Sequence, residues 1–131
     1  MMGEEDTPMA THDIPREQWK QFFEEFSKRH QGRARVTVEA VDPHTQPHVE
    51  ANRLPFVGIS YEEKGSDAGS VVLLLGTEPN DHVTHVIADP KHVYHKPGAG
   101  VMSSEVNPDE IVEITSPGDP PITFLHFTHA E

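Results

Sequence analysis

Four histidines fall within HVTHVIADPKHVYH, residues 82–95, as two H-x-x-H pairs: His82 with His85, and His92 with His95. Imidazole is the commonest protein metal ligand, so divalent-cation binding is the first chemistry to weigh. On a helix, positions i and i+3 share a face and could chelate one ion. On a strand they point to opposite faces, with Cα atoms roughly 10 Å apart. The segment is rich in Val, Ile, Thr and Tyr and follows Pro79-Asn80-Asp81, which favours the strand.

A turn over Ala88 to Lys91 would fold the segment into a hairpin. His85 and His92 would then be diagonal neighbours on one face, and His82 and His95 on the other, about 7 Å apart. Zinc takes three or four protein ligands, so Asp81, Asp89, Glu105 or a second chain would have to complete either pair. If ADPKHVY instead sends the chain in a new direction, the pairing dissolves. The competing reading is that histidines simply populate a sheet surface, and His126 and His129 in HFTH repeat the spacing elsewhere. A divalent metal is thus the one cofactor to consider, with His82, His85, His92 and His95 as its candidate ligands.

Other chemistry is harder to find. The chain has no cysteine, which removes disulfides, thiolate nucleophiles and Cys-ligated metals. Gly98-Ala99-Gly100 lacks the lysine and the strand–helix setting of a phosphate loop, and no G-x-S-x-G elbow occurs. Ser103 and Ser104 sit in no nucleophile motif. Glu24-Glu25 and Glu62-Glu63 read as solvated carboxylates, and Asp81-His82 is the single acid–base pair beside a strand start. No catalytic residue is assigned, and an enzyme is not expected.

The formal charge is −12 over 131 residues, which would repel nucleic acids and anionic membranes. Lys28, Arg29, Arg33 and Arg35 come closest to a basic cluster, and helix-end cations account for most of it. Ten histidines, once protonated, would bring the charge to −2, so solubility and self-association should change near about pH 5–6. The longest aliphatic run, Val71 to Leu75, is far short of the ~20 residues of a spanning helix, and MMGEEDTPMATHD has no signal-peptide pattern. A soluble, cytoplasmic protein is expected.

The elements that must position these residues follow from periodicity. Residues 1–12 are acidic and aperiodic, and read as a disordered tail before a single domain over 13–131. DIPREQWKQFFEEFSKRHQG predicts a helix with Asp13 as cap, Pro15 in the first turn and Gly32 as its end. Trp19, Phe22, Phe23 and Phe26 make one apolar stripe on it. After Gly32 the period falls to two. ARVTVEAV is a half-buried strand, HVEANRL and FVGISYEE are two short strands or one bent strand with a bulge near Gly58, and SVVLLL reads as a central strand buried on both faces. EIVEIT and ITFLHF flank a tight SPGDPP connection, and 96–110 reads as a long mobile loop. The fold class is therefore α+β: an N-terminal amphipathic helix packed on a curled antiparallel sheet, or small partly open barrel, of six to seven strands.

The pattern IPREQW, RVTVE, LPFVGISYE, VVLLLG, DHVTHVIADPKHVY and ITFLHF resembles a family of short bacterial proteins, the domain of unknown function numbered 5335. The likeness covers about residues 13–128 and implies a single-domain, soluble bacterial protein. It brings no reaction or ligand. The leading reading is a non-enzymatic binding or interaction domain, engaging a protein partner or itself through sheet edges or the helix flank. The alternative is a histidine-based divalent-metal-binding or pH-responsive protein.

Overall fold

The computed structural model describes residues 11–76, 82–96, 110–118 and 120–129. The elements are β1 (His12–Ile14), a 3₁₀ turn (Arg16–Gln18), α1 (Trp19–His30), β2 (Ala34–Val41), β3 (His48–Glu62), β4 (Ser70–Leu75), β5 (Val83–Ala88), β6 (His92–Lys96), β7 (Glu110–Thr115) and β8 (Ile122–His129). All eight strands join one sheet in the order β1-β6-β7-β8-β2-β3-β4-β5, every neighbour antiparallel. The order is linear, so the sheet is not closed, and β1 and β5 are its ends.

Alternation builds the core. Along β2, Ala34, Val36, Val38 and Ala40 are buried while the residues between them are half-exposed. Val71, Leu73 and Leu75 of β4, Val112 and Ile114 of β7, and Leu125 and Phe127 of β8 do the same. These inward residues form one cluster with Trp19, Phe23 and Phe26 of α1. Burying three such aromatics contributes about 2–3 kcal/mol apiece. Lys20, Gln21, Glu24, Glu25 and Lys28 of α1 stay exposed. Gly32, at φ 74°, supplies the left-handed backbone that turns the chain from α1 into β2.

Several expectations need correction. The described residues hold eight strands, not six or seven, and the helix is a short one that β1 precedes. Asp13 lies in β1 opposite Tyr94 and caps nothing. The helix begins instead at Trp19, whose indole Nε1 donates to the Ile14 carbonyl at 2.8 Å. Arg16 lies over the same ring at 4.4 Å. SVVLLL is buried on one face only, since Leu74 is 40% exposed. An unbroken apolar run cannot say which side of a sheet is wet.

Other expectations hold. β3 is one bent strand: its first half pairs with β2, its second with β4, and the register shifts between Phe56 and Gly58. Arg53, at φ 55°, marks the bend. SPGDPP joins antiparallel partners, with Ser116 N–H donating to the Pro121 carbonyl at 2.9 Å. Most of the expected tail and of the 96–110 loop lie outside the described residues, although His12 already belongs to β1.

Candidate functional site

β5 and β6 are consecutive strands that do not pair. β5 pairs with β4, at one end of the sheet order, and β6 pairs with β7 and β1, at the other. The turn between them explains the divergence. Asp89 adopts φ 55°, Pro90 is buried, Asp89 N–H donates to the Gly69 carbonyl, and Lys91 N–H donates to that of Thr115. These bonds tie the turn to both halves of the molecule. The diagonals His85–His92 and His82–His95 therefore do not form.

The four histidines occupy separate surroundings. His82 is exposed just before β5. His92 is exposed and stacks on Tyr94, centroids 5.8 Å apart. His85 and His95 point inward from different strands, opposite Leu73 and Val112. Asp89 turns toward Lys91, 3.4 Å away, while Asp81 and Glu105 lie outside the described residues. Among the described residues no group of three or more His, Cys, Asp or Glu is arranged to hold a metal ion.

His95 instead joins a cluster that sequence reasoning missed. Glu110, at the start of β7, receives His95 Nε2 on Oε2 at 2.5 Å and His30 Nε2 on Oε1 at 2.8 Å. Arg29 Nη1 stands 3.5 Å from Oε2. The His30 contact is close in distance, with poorer hydrogen-bond geometry than that of His95. Around them, Phe22 and Phe26 meet the His95 ring edge-on at 5.3 and 5.9 Å, and Phe127 lies 5.8 Å from His30. Burial pushes the Glu110 carboxyl up. The hydrogen bonds from His30 and His95 and the charges of Arg29 and His30 outweigh it and hold the group well below the usual carboxylate range.

The spacing in this arrangement is that of hydrogen bonds and ion pairs. Ligand atoms around tetrahedral zinc sit about 3.3 Å apart, given Zn–N and Zn–O bonds of roughly 2.0–2.1 Å. The nitrogen–oxygen separations here are shorter, and a guanidinium adjoins them. The cluster ties α1 to β6 and β7. Glu110 was hidden because it ends a segment whose composition reads as loop, and its partners lie 80 and 15 residues away in sequence.

The second feature is the outer flank of β5, which pairs with no strand among the described residues. The strand VTHVIA has no charged residue, no proline and no register shift against β4. On the outer face, Val86, 48% exposed, sits beside Val72, and Thr84 beside Leu74. β1 at the other end is three residues long and carries Asp13. Shortness and charge are what usually blunt a sheet edge, so β1 is protected and β5 is not. Behind β5 lies a cavity of about 60 Å³ lined in part by Val38, Ala40, Leu73, Thr123 and Leu125, with His85 on its wall. His85 Nε2 is buried and has no hydrogen-bond partner among the described residues, and Nδ1 lies 3.9 Å from Glu50 Oε1.

Comparison with known proteins places these features in a family context. The profile of a family of unknown function, DUF5335, matches residues 10–119, which hold α1, both inward histidines, Glu110 and the whole of β5. The chain is similar to an uncharacterized protein of Aquifex aeolicus (strain VF5), 35% identical over 86 residues, or 66% of this chain and 70% of the relative. No solved structure matches. No helix among the described residues is long and apolar enough to cross a membrane. With 110 of its residues matched by that one profile, in agreement with the resemblance carried by IPREQW and HVTHVIADPKHVY, the chain belongs to the DUF5335 family.

Proposed function

We propose that this chain is a non-enzymatic interaction domain that takes an extended segment of a protein partner onto the free flank of β5. One observation carries the reading: β5 is an uncharged, proline-free, unbulged terminal strand with apolar Val86 and Leu74 exposed on its outer face. Such an edge offers a row of backbone donors and acceptors together with side-chain contacts, which is how sheet-edge addition binds peptides. The formal charge of −12 opposes a second copy and favours a segment with basic residues. Glu50 of β3, 3.9 Å from His85 Nδ1, adds negative charge near β5.

The test is a titration of isotope-labelled protein with a blocked peptide of alternating lysine and threonine, followed by amide shifts. Shifts concentrated in 83–88 and in Val72 and Leu74, lost in Val86→Lys, are the expected result. A peptide that moves no β5 amide would defeat the proposal, as would a stable homodimer through β5 in sedimentation.

The histidine-based reading keeps one point of support. His95 shares the Glu110 carboxylate with a second imidazole, that of His30. That favours a response to protons over the capture of a metal.

A further inference from the structure

In a chain whose formal charge is −12, two arginines gather over the outer face of β2, and among the described residues neither pairs with a carboxylate. Arg35 alternates with the buried Ala34 and Val36, and its Nη1 reaches sideways to donate to the Arg53 carbonyl of β3 at 3.0 Å. Arg53 runs the other way. Its Nη1 passes over β2 and donates to the Thr128 hydroxyl of β8, the residue opposite Arg35, at 3.2 Å. The two side chains thus cross above β2.

The backbone under Arg53 is strained. At φ 55° it occupies the left-handed region that glycine enters freely and that a long side chain enters at a cost. Its N–H donates there to the Thr37 hydroxyl, 3.1 Å away. Thr37 and Thr128 each accept from Arg53, so each keeps its own hydroxyl proton to give outward. The patch therefore offers donors: two guanidiniums and two hydroxyls. Glu39, the next acid along β2 on that face, is engaged by His126 Nε2 at 3.4 Å. Guanidiniums brought together on a strained backbone and flanked by hydroxyl donors are complementary to an anion with several acceptor oxygens.

We infer that Arg35 and Arg53, with Thr37 and Thr128, form a binding site for a phosphate monoester dianion. Three terminal oxygens and a charge of nearly −2 suit a patch of donors better than a carboxylate, which brings two oxygens and a single charge. The negative charge of the whole chain opposes polyanions and holds the affinity for one dianion on the order of 1 mM. The site lies on β2, β3 and β8, so its failure would leave the docking of a strand on β5 untouched.

The test is a titration of the isotope-labelled chain, at constant ionic strength and about pH 7.5, where a phosphomonoester is dianionic. The probes are doubly blocked phosphothreonine, blocked threonine, inorganic phosphate and acetate. Saturable shifts of the Arg35, Thr37, Arg53 and Thr128 amides are expected with the two phosphates, and none that saturate with blocked threonine or acetate. Tighter binding of phosphothreonine would identify a phosphorylated side chain as the ligand, and equal or tighter binding of inorganic phosphate would identify free phosphate; either upholds the site. Arg35→Gln and Arg53→Gly should each weaken binding about tenfold, the value of one charge-assisted hydrogen bond. Glycine adopts φ 55° without strain, so Arg53→Gly should melt no lower than the parent. Arg33→Gln, which removes an exposed cation outside the patch, should bind as the parent does. Shifts that never saturate, acetate bound as tightly as phosphate, or undiminished affinity in Arg35→Gln or Arg53→Gly would overturn the inference. So would an equal loss in Arg33→Gln, which would reduce the effect to general charge.

Discussion

Ser27 and Ile59 share two hydrogen bonds. The hydroxyl donates to the Ile59 carbonyl at 2.7 Å and accepts from the Ile59 N–H at 2.9 Å. On its other side Ile59 lies opposite Leu73 of β4, and β2 has already left β3, their pairing ending at Arg35 and Pro55. A helix side chain thus substitutes for a missing strand, satisfying a backbone unit that the bend in β3 leaves open. Ser27→Ala is expected to lower stability by about 1–3 kcal/mol, since it strands a donor and an acceptor together. Urea denaturation measures it, and a change below a few tenths would show that water replaces the hydroxyl at no cost.

Removing the carboxylate that links helix and sheet should cost more than an exposed ion pair does. The Glu110 side chain is 12% exposed and those of His30 and His95 are 16% and 14% exposed. Glu110→Ala is expected to destabilise by about 2–3 kcal/mol at pH 7, the range for charge-assisted hydrogen bonds. Lys20→Ala, which removes an exposed pair with Glu24, should leave stability nearly unchanged. Parallel chemical melts of the two variants give the contrast.

The same carboxylate fixes the sign of an acid response. Its proton affinity is lower in the folded chain than the ordinary value of 4.5, so the unfolded chain binds the proton more readily. Its contribution to stability is complete above about pH 4.5 and drains away as the pH falls from there toward the folded value. Stability measured from pH 7 to pH 3 should fall more steeply in the parent than in Glu110→Gln. Parallel curves for the two would remove Glu110 from the acid response.

Phe26 stands at the centre of the aromatic group, edge-on to Phe127 at 4.7 Å and to Phe56 at 6.4 Å, and fully buried. Phe26→Ala should cost about 3–5 kcal/mol, by lost transfer energy and the cavity left behind. Phe22→Ala, at a half-buried position on the same helix, should cost less. Thermal melts with matched controls decide the order.

Period was legible in the sequence, and long-range pairing was not. The stripe of Trp19, Phe23 and Phe26 identified the buried side of α1, and the alternation of Val36 and Val38 identified β2, because each pattern is carried by neighbours in the chain. The bulge at Gly58 and the SPGDPP connection were readable for the same reason. β1 was not, because three residues are too few to show alternation, and Asp13 and Pro15 resemble a helix start. The fate of the four histidines depended on whether ADPK makes a hairpin. A left-handed Asp89 followed by a buried Pro90 sends the chain away instead, and no local rule distinguishes the two. Glu110 meets His30 and His95 only because β6 and β7 pair beneath the helix, a fact of topology.

The pairing of β2 with β8, which sets Ala34 across from His129, has a consequence for biosynthesis. β2 leaves the ribosome early and gains β3 soon afterwards, but its second neighbour is translated only after every other strand. Until then Val36 and Val38 have one side of their sheet open, and the nascent chain must be kept from clumping by holdase chaperones or by its own like charges. Folding should accordingly be a single late event, completed after β8 clears the exit tunnel, and not a domain assembled piece by piece as it emerges.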